Sequence, residues 1–222
     1  MLASSMSRYA PMRLLRVPEP FDHPDFVYEV KHDGFRAIAF VERRECRLVS
    51  RNGYTFKAWS RLCDEIARSV SCASAVLDGE VCCLEPDGRT DFYRLMFRRD
   101  RPFFYAFDLL AVDGEDLTRL PLLERKRRLR ALVPRTHTRL LYVDAIAECG
   151  TDLFRLACRR DLEGIVAKWS NGTYQCDGRG TSWLKIKNPN YSQMDGRREL
   201  FEAQRERFSR TRASNPPELR LG

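Results

Sequence analysis

Apolar residues in this chain fall into short runs at two spacings, and the change from one spacing to the other outlines a fold. Strand-like runs fall over Phe26–Val30, Phe35–Val41 and Cys46–Val49, the second interleaving apolar and small residues at period two; Asn52-Gly53 then marks a turn, giving an antiparallel start. From Tyr54 to Val70 the spacing turns helical, with Trp59, Leu62, Cys63 and Ile66 on one side, and Ala75–Leu84 returns to strand character, interrupted by Asp78-Gly79-Glu80. Phe103–Val112 is a long apolar strand closed by an Asp113-Gly114 turn. Leu122–Val133 reads as a helix whose cluster Glu124 to Arg130 is a solvated face, and Leu140–Ile146 as a strand. Asp152–Leu162 reads as a helix with Thr151 at its N-cap, followed by strands over Gly164–Trp169 and Trp183–Ile186.

The ends differ from this ordered middle. Pro11, Pro18, Pro20 and Pro24 break any regular element, so residues 1–25 are expected to be an irregular lead-in to an ordered region over 26–191. Residues 192–222 form a charged tail, helix-permissive over Gly196–Arg212 and closed by Asn215-Pro216-Pro217.

Composition narrows the classes. With 222 residues, 43% of them hydrophobic and 32% charged, the chain can bury a core while keeping a charged surface, which excludes wholesale disorder. No apolar run reaches the length of a membrane span, and the N-terminus lacks the order of a secretion signal, so a cytoplasmic location and no membrane partner are expected. A net charge of +8 suits a polyanionic partner and suits solubility equally well. The eight cysteines show no C-x-x-C pair or metal-ligand spacing and are expected to be mostly buried thiols. Only six of the 39 cations are lysine, the rest being arginine, so a lysine that survives here has a reason to be one. Arginine stays protonated, whereas a lysine amine can become a nucleophile or act as a compact charge on phosphate. For Lys57 and Lys126 chance sampling is sufficient.

Four of the six lysines sit in chemically suggestive settings. Lys31 ends a strand in Glu29-Val30-Lys31-His32-Asp33-Gly34-Phe35-Arg36, where nearby cations or desolvation would lower the amine's pKa and Gly34 would let the backbone approach a phosphate. His32 has no claim beyond a turn or surface residue. Asp78 and Glu80 are carboxylates within an apolar strand, a costly placement without a cation or hydroxyl partner. Glu163 and Lys168 bracket an apolar strand, where a Mg²⁺ ligand and a phosphate contact, or a structural ion pair, would fit. In Trp183-Leu184-Lys185-Ile186-Lys187 both lysines share one strand face with Trp183, and the two repel unless an anion lies between them.

The ordered set KHDGFR (Lys31–Arg36), SRNG (Ser50–Gly53), LDGE (Leu77–Glu80), FDLL (Phe107–Leu110), EGIVAK (Glu163–Lys168) and WLKIK (Trp183–Lys187) resembles the nucleotidyltransferase domain of ATP-dependent DNA ligases, above all bacterial end-joining ligases. The resemblance spans roughly Pro20 to Tyr191. It implies an α+β, ATP-grasp-like fold, with antiparallel sheets around a nucleotide cleft and helices outside. It implies that Lys31 attacks the α-phosphate of ATP to form lysyl-AMP, which is passed to a DNA 5′-phosphate to seal breaks. Glu29 would contact the adenine amine, Phe107 would stack on the base, and Arg36 and Arg51 would hold the ribose or phosphate side. Glu80 would bind ribose or metal, Glu163 would hold Mg²⁺ or Mn²⁺, and Lys185 and Lys187 would neutralise the α-phosphate, with Asp33, Asp78 and Lys168 in support.

Ligases of this kind carry an OB-fold domain after the WLKIK strand, and the residues after Lys187 are too few and too charged for one. The expectation is therefore a monomeric adenylation domain acting on nicked or broken duplex DNA, with an end-joining or OB-fold partner protein supplying the clamp. An RNA ligase-type enzyme and a non-catalytic DNA-binding remnant are the alternatives.

Overall fold

A computed structural model describes residues 8–194 other than His137, together with Arg197. In chain order the strands are β1 (Leu15–Arg16), β2 (Phe26–Val30), β3 (Phe35–Glu42), β4 (Glu45–Ser50), β5 (Ser74–Cys82), β6 (Phe103–Val112), β7 (Glu115–Asp116), β8 (Leu140–Tyr142), β9 (Ile146–Ala147), β10 (Gly164–Trp169) and β11 (Trp183–Lys187). The α-helices are α1 (Ser60–Ser69), α2 (Phe92–Met96), α3 (Leu122–Leu132) and α4 (Gly150–Arg159). They belong to a unit spanning Met1–Asn190; a second, Tyr191–Gly222, shows a 3-10 turn at Ser192–Met194. Apart from Arg197, the helix-permissive Gly196–Arg212 stretch lies outside the described residues.

The strands assort into two sheets, ordered β1-β11-β10-β2-β9 and β4-β3-β5-β6-β7, with β8 also on β6. Pairing is antiparallel except for β1 on β11 and β8 on β6. Period-two alternation assigns each strand two faces. In β3, Ala37, Ala39 and Val41 join a core with Leu62 and Ile66 of α1 and Leu129 of α3, while Ile38 and Phe40 point the other way. That second set meets Val27, Val166 and Trp183 of the first sheet, so the two inner faces pack on each other. The outer face of the first sheet, with Tyr28, Ile165 and Ile186, is covered by Leu153 and Ala157 of α4.

Inner-face positions of the first sheet therefore read Val27-Glu29-Lys31, Val166-Lys168 and Trp183-Lys185-Lys187. Each strand begins or ends in apolar packing and carries its charge further along the same face.

The structure departs from the sequence expectations where a distant partner decides. β5 is one strand through Asp78-Gly79-Glu80, although its register against β6 shifts between Asp78 and Gly79; both acids fall on the inner face, where Asp78 meets Arg36. The lead-in is partly ordered: Leu15 and Arg16 pair with β11, and Met12 is fully buried, its N–H donating to the Tyr174 hydroxyl. Leu140–Ile146 is two short strands that leave for different sheets. Helix α4 starts at Gly150 with no side-chain cap; the Thr151 N–H donates instead to Asp22. At the β6 turn, Asp113 and Gly114 both take positive φ, 47° and 85°, as a tight hairpin requires. Three cysteines are buried, four half-buried and one exposed, and all are free thiols.

The largest departure is on α3, where Glu124 to Arg130 is not uniformly solvated: Arg125 is fully buried and Lys126 nearly so. Arg125 donates twice to Asp108 of β6, at 2.8 Å each, and also to the carbonyls of Leu120 and Gly172. Removing one partner of such a pair strands a charge without water. We expect Arg125→Leu to lower stability by roughly 3–5 kcal/mol in urea unfolding, and the double variant with Asp108→Leu to recover part of that loss. Equal stability of Arg125→Leu and the parent would refute the buried pair.

Candidate active site

Between the inner sheet faces lies a cleft of about 390 Å³, and all ten residues assigned above to catalysis, nucleotide or metal line it. Backbone register brings them together. Antiparallel pairing sets Val30 opposite Ile165 and Gly164 opposite Lys187, and the Lys31 N–H donates to the Gly164 carbonyl at 2.9 Å. Glu163, one residue before β10, thus lies between two lysines. Its Oε2 is 2.5 Å from Lys31 Nζ and its Oε1 is 3.2 Å from Lys187 Nζ. Gly164 makes this join possible: its φ is 139°, and a Cβ there would stand 2.1 Å from the Ile186 carbonyl oxygen.

The electrostatics of this end differ from the expectation of a lysine with depressed pKa. Burial pulls the Lys31 ammonium down, but Glu163, Glu80 and Asp33 together outweigh it and the net shift is upward. Burial pushes the Glu163 carboxyl up, and Lys31 and Lys187 more than reverse it. The resting pair is an ammonium and a carboxylate. Lys185 is pulled down, by burial first and then by Lys187 and Lys31, so the two β11 lysines do crowd each other as their spacing predicts. Glu80 is pushed up to about 8, chiefly by burial, with Glu163 and Asp33 adding to it.

Glu80 and Glu163 fit a hard cation. Among the described residues no group of three or more His, Cys, Asp or Glu is arranged around a metal position. Two carboxylates in one cleft are nevertheless what Mg²⁺ ordinarily takes from a protein, the rest of its shell coming from phosphate and water. Burial lifts the pKa of Glu80 even with Lys31 and Arg36 pulling it down.

Midway along the cleft, Arg36 is already engaged. It donates to Asp78 through Nε at 3.1 Å and Nη2 at 2.6 Å and to the Met12 carbonyl at 2.6 Å, leaving fewer of its N–H groups for a ligand. Tyr174 donates to the same Asp78 at 2.6 Å. Gly34 permits a close approach, but to protein: its Cβ would fall 2.0 Å from the Val81 carbonyl oxygen. Arg51 is exposed at the cleft margin beyond β4. His32 is half-buried in the cleft wall, stacked on Tyr105 at 4.0 Å; burial and the charge of Lys31 bring it down to about 4, so it is neutral.

The deep end carries Glu29, Phe107 and Lys168. Glu29 is buried between two ammonium groups, Lys126 at 2.5 Å and Lys168 at 2.6 Å. Lys168 Nζ also stands 3.9 Å from the Trp183 ring centre and 4.5 Å from that of Phe107. Phe107 meets Trp183 edge to face, half-buried, which leaves ring surface for the cleft. Lys126 is the residue that chance sampling does not explain. The scarcity of lysine marked it as clearly as the other four, but its place within a charged helix concealed it.

A lysine-centred nucleotide cleft between two sheets is the class of site these features define. The profile of the ATP dependent DNA ligase domain matches residues 1–187, and the chain belongs to that family. It is 32% identical over 169 residues to the multifunctional non-homologous end joining protein LigD of Pseudomonas aeruginosa, a match covering 73% of this chain and 20% of that protein. It is 30% identical over 192 residues to the SPbeta prophage-derived DNA ligase-like protein LigB of Bacillus subtilis, covering 83% and 69%. A mycobacterial DNA ligase D complexed with ATP and MES has the same fold at a TM-score of 0.70 and 28% identity, over 82% of this chain and 60% of that one. The chain thus spans about a fifth of the Pseudomonas relative.

The deep end generates a pH prediction. Burial lowers Lys168 from 10.5 to about 8 despite Glu29, with Lys126 adding to the shift. Between those values the unfolded chain binds the extra proton, so stability rises with pH across that window and the penalty is fully present below it. Relative to Lys168→Met, the parent should gain roughly 2–3 kcal/mol between pH 8 and 10.5 in urea titrations. Parallel pH profiles for the two proteins would refute a depressed Lys168.

Proposed function

We propose that this chain is the adenylation unit of an ATP-dependent DNA ligase, residues 26–191 forming the nucleotidyltransferase domain, and that it acts on nicked or broken duplex DNA in end-joining repair. The observation that carries the reading is Lys31 held against Glu163 with Lys185 and Lys187 on the same strand face. Family membership gives ATP as the nucleotide, and Mg²⁺ or Mn²⁺ is the proposed metal. Among the described residues no helix is long and apolar enough to cross a membrane, and we place the activity in the cytoplasm.

In the first step the Lys31 amine attacks the α-phosphorus of ATP. A P–N bond forms, the P–O bond to pyrophosphate breaks, and the two protons lost from the lysine ammonium pass to solvent water, giving lysyl-AMP. The ammonium is the resting form, so the ion pair with Glu163 must be given up before attack. Glu163 and Glu80 would hold a divalent cation, which would supply positive charge to offset the carboxylates facing Lys31 and to neutralise the phosphates. Lys185 and Lys187 meet the charge that develops on the α-phosphate oxygens. Glu29 and Phe107 take the base, Arg36 the ribose side, and Arg51 at the open margin the DNA 5′-phosphate that accepts AMP. Attack by the adjoining 3′-hydroxyl then expels AMP and closes the strand. No observation favours the RNA-joining or non-catalytic alternatives.

Intact-protein mass spectrometry after incubation with ATP and Mg²⁺ or Mn²⁺ tests this. The parent should gain one AMP on Lys31, while Lys31→Ala and Lys31→Arg gain none, the second because a guanidinium does not deprotonate. An adduct on either variant would refute Lys31 as the nucleophile, and its absence from a nucleotide-free parent would refute the enzyme.

A further inference from the structure

The cluster around Glu29 contains a lysine that belongs to none of the six motifs. Lys126 reaches inward from α3 and stays 4% exposed. Its Nζ lies 2.5 Å from Oε1 of Glu29, donates to the Val143 carbonyl at 2.9 Å and sits 4.7 Å over the Tyr142 ring. It does not line the cleft, whereas Glu29 and Lys168 do. Lys126 therefore stands behind Glu29, and Lys168 beside it.

A carboxylate offers about four lone-pair sites. Here one ammonium approaches each oxygen, which fixes the plane of the group and leaves acceptor capacity on the side lining the cleft. Lys168 lies 2.6 Å from Oε2, but its Nζ makes no well-directed hydrogen bond, so it restrains Glu29 by charge more than by direction. The directional restraint falls to Lys126, held from its far side by the Val143 carbonyl. Its own place is set one residue earlier on α3, where Arg125 is anchored to Asp108.

We propose that Lys126 is a positioning residue for nucleobase choice: by fixing Glu29 it aims the carboxylate to accept from the exocyclic amine of a 6-aminopurine and to repel the oxygen of a 6-oxopurine. This rests on the ATP-dependent reading given above. Without Lys126, Glu29 is drawn to Lys168 alone and turns, and the site loses both the acceptor for the amine and the barrier to the oxo group. A site built to pair a polar group discriminates strongly because the wrong partner leaves buried groups unmatched.

The test is single-turnover adduct formation, read by intact mass, with ATP and with ITP, for the parent and for Lys126→Met and Lys126→Arg. We expect Lys126→Met to raise the ATP concentration for half-maximal rate about tenfold, to leave the saturating ATP rate within about threefold, and to shrink the ATP-over-ITP preference by about tenfold or more. Lys126→Arg, which can still donate to Glu29, should keep most of the preference. An unchanged preference in Lys126→Met would overturn the proposal, as would an equal loss of saturating rate with both nucleotides, the mark of general structural damage. If Lys126→Met does not fold, Lys126→Gln carries the same comparison, since a neutral amide gives a weaker restraint. A parent that forms no adduct with either nucleotide would overturn the enzymatic reading as well, whereas a parent that adenylates with a preference independent of residue 126 would overturn this inference alone.

Discussion

Arg125 and Asp108 meet through two 2.8 Å hydrogen bonds in a place water does not reach, and the deep half of the cleft depends on that pair. It ties α3 to β6 at a fixed rotation, because a guanidinium fork accepts a carboxylate in one plane only. The next residue on the helix, Lys126, is thereby pointed at Glu29, and Glu29 in turn holds Lys168 over Trp183 and Phe107. A buried charge is tolerated only if its neighbour neutralises it, so each of these residues fixes the next. Such a chain of pairs is a poor source of net stability, but it leaves few alternative arrangements of the cleft wall.

The same rule operates at the lysine end with a different consequence. Glu163 is shared between Lys31 and Lys187, and the pairing that closes the fold there also offsets the burial that would lower the pKa of the candidate nucleophile. An amine paired in this way is a poor nucleophile until its proton and its carboxylate partner are given up. The lysines of β11 are held on the cleft face for a simple reason, since Ile186 between them is locked into the core under α4.

Phe26–Val30, Phe103–Val112 and Gly164–Trp169 were legible to the residue, because strict alternation or an apolar run between turn signals leaves a strand little choice. The ten candidate residues could also be named from the chain, because each lies in or next to a short motif at a strand or a strand end. Elements that failed did so through a remote partner. Leu15 and Arg16 look irregular until β11 offers its edge, and Leu140–Ile146 divides because each half is claimed by a different sheet.

By itself, then, the sequence determined the strand faces, the order of the six motifs and the family, since these rest on local spacing and residue type. Only the tertiary structure decided which charges are buried, that Gly34 makes room for the Val81 carbonyl, and that the pKa of Lys31 is shifted up and not down. It also decided that Arg125 and Lys126 leave the solvated face of α3 for the interior. A charged helix reads alike whether water or a carboxylate lies over it. Burial and pKa are set by what the rest of the chain brings within a few ångströms, and that is a property of the folded molecule alone.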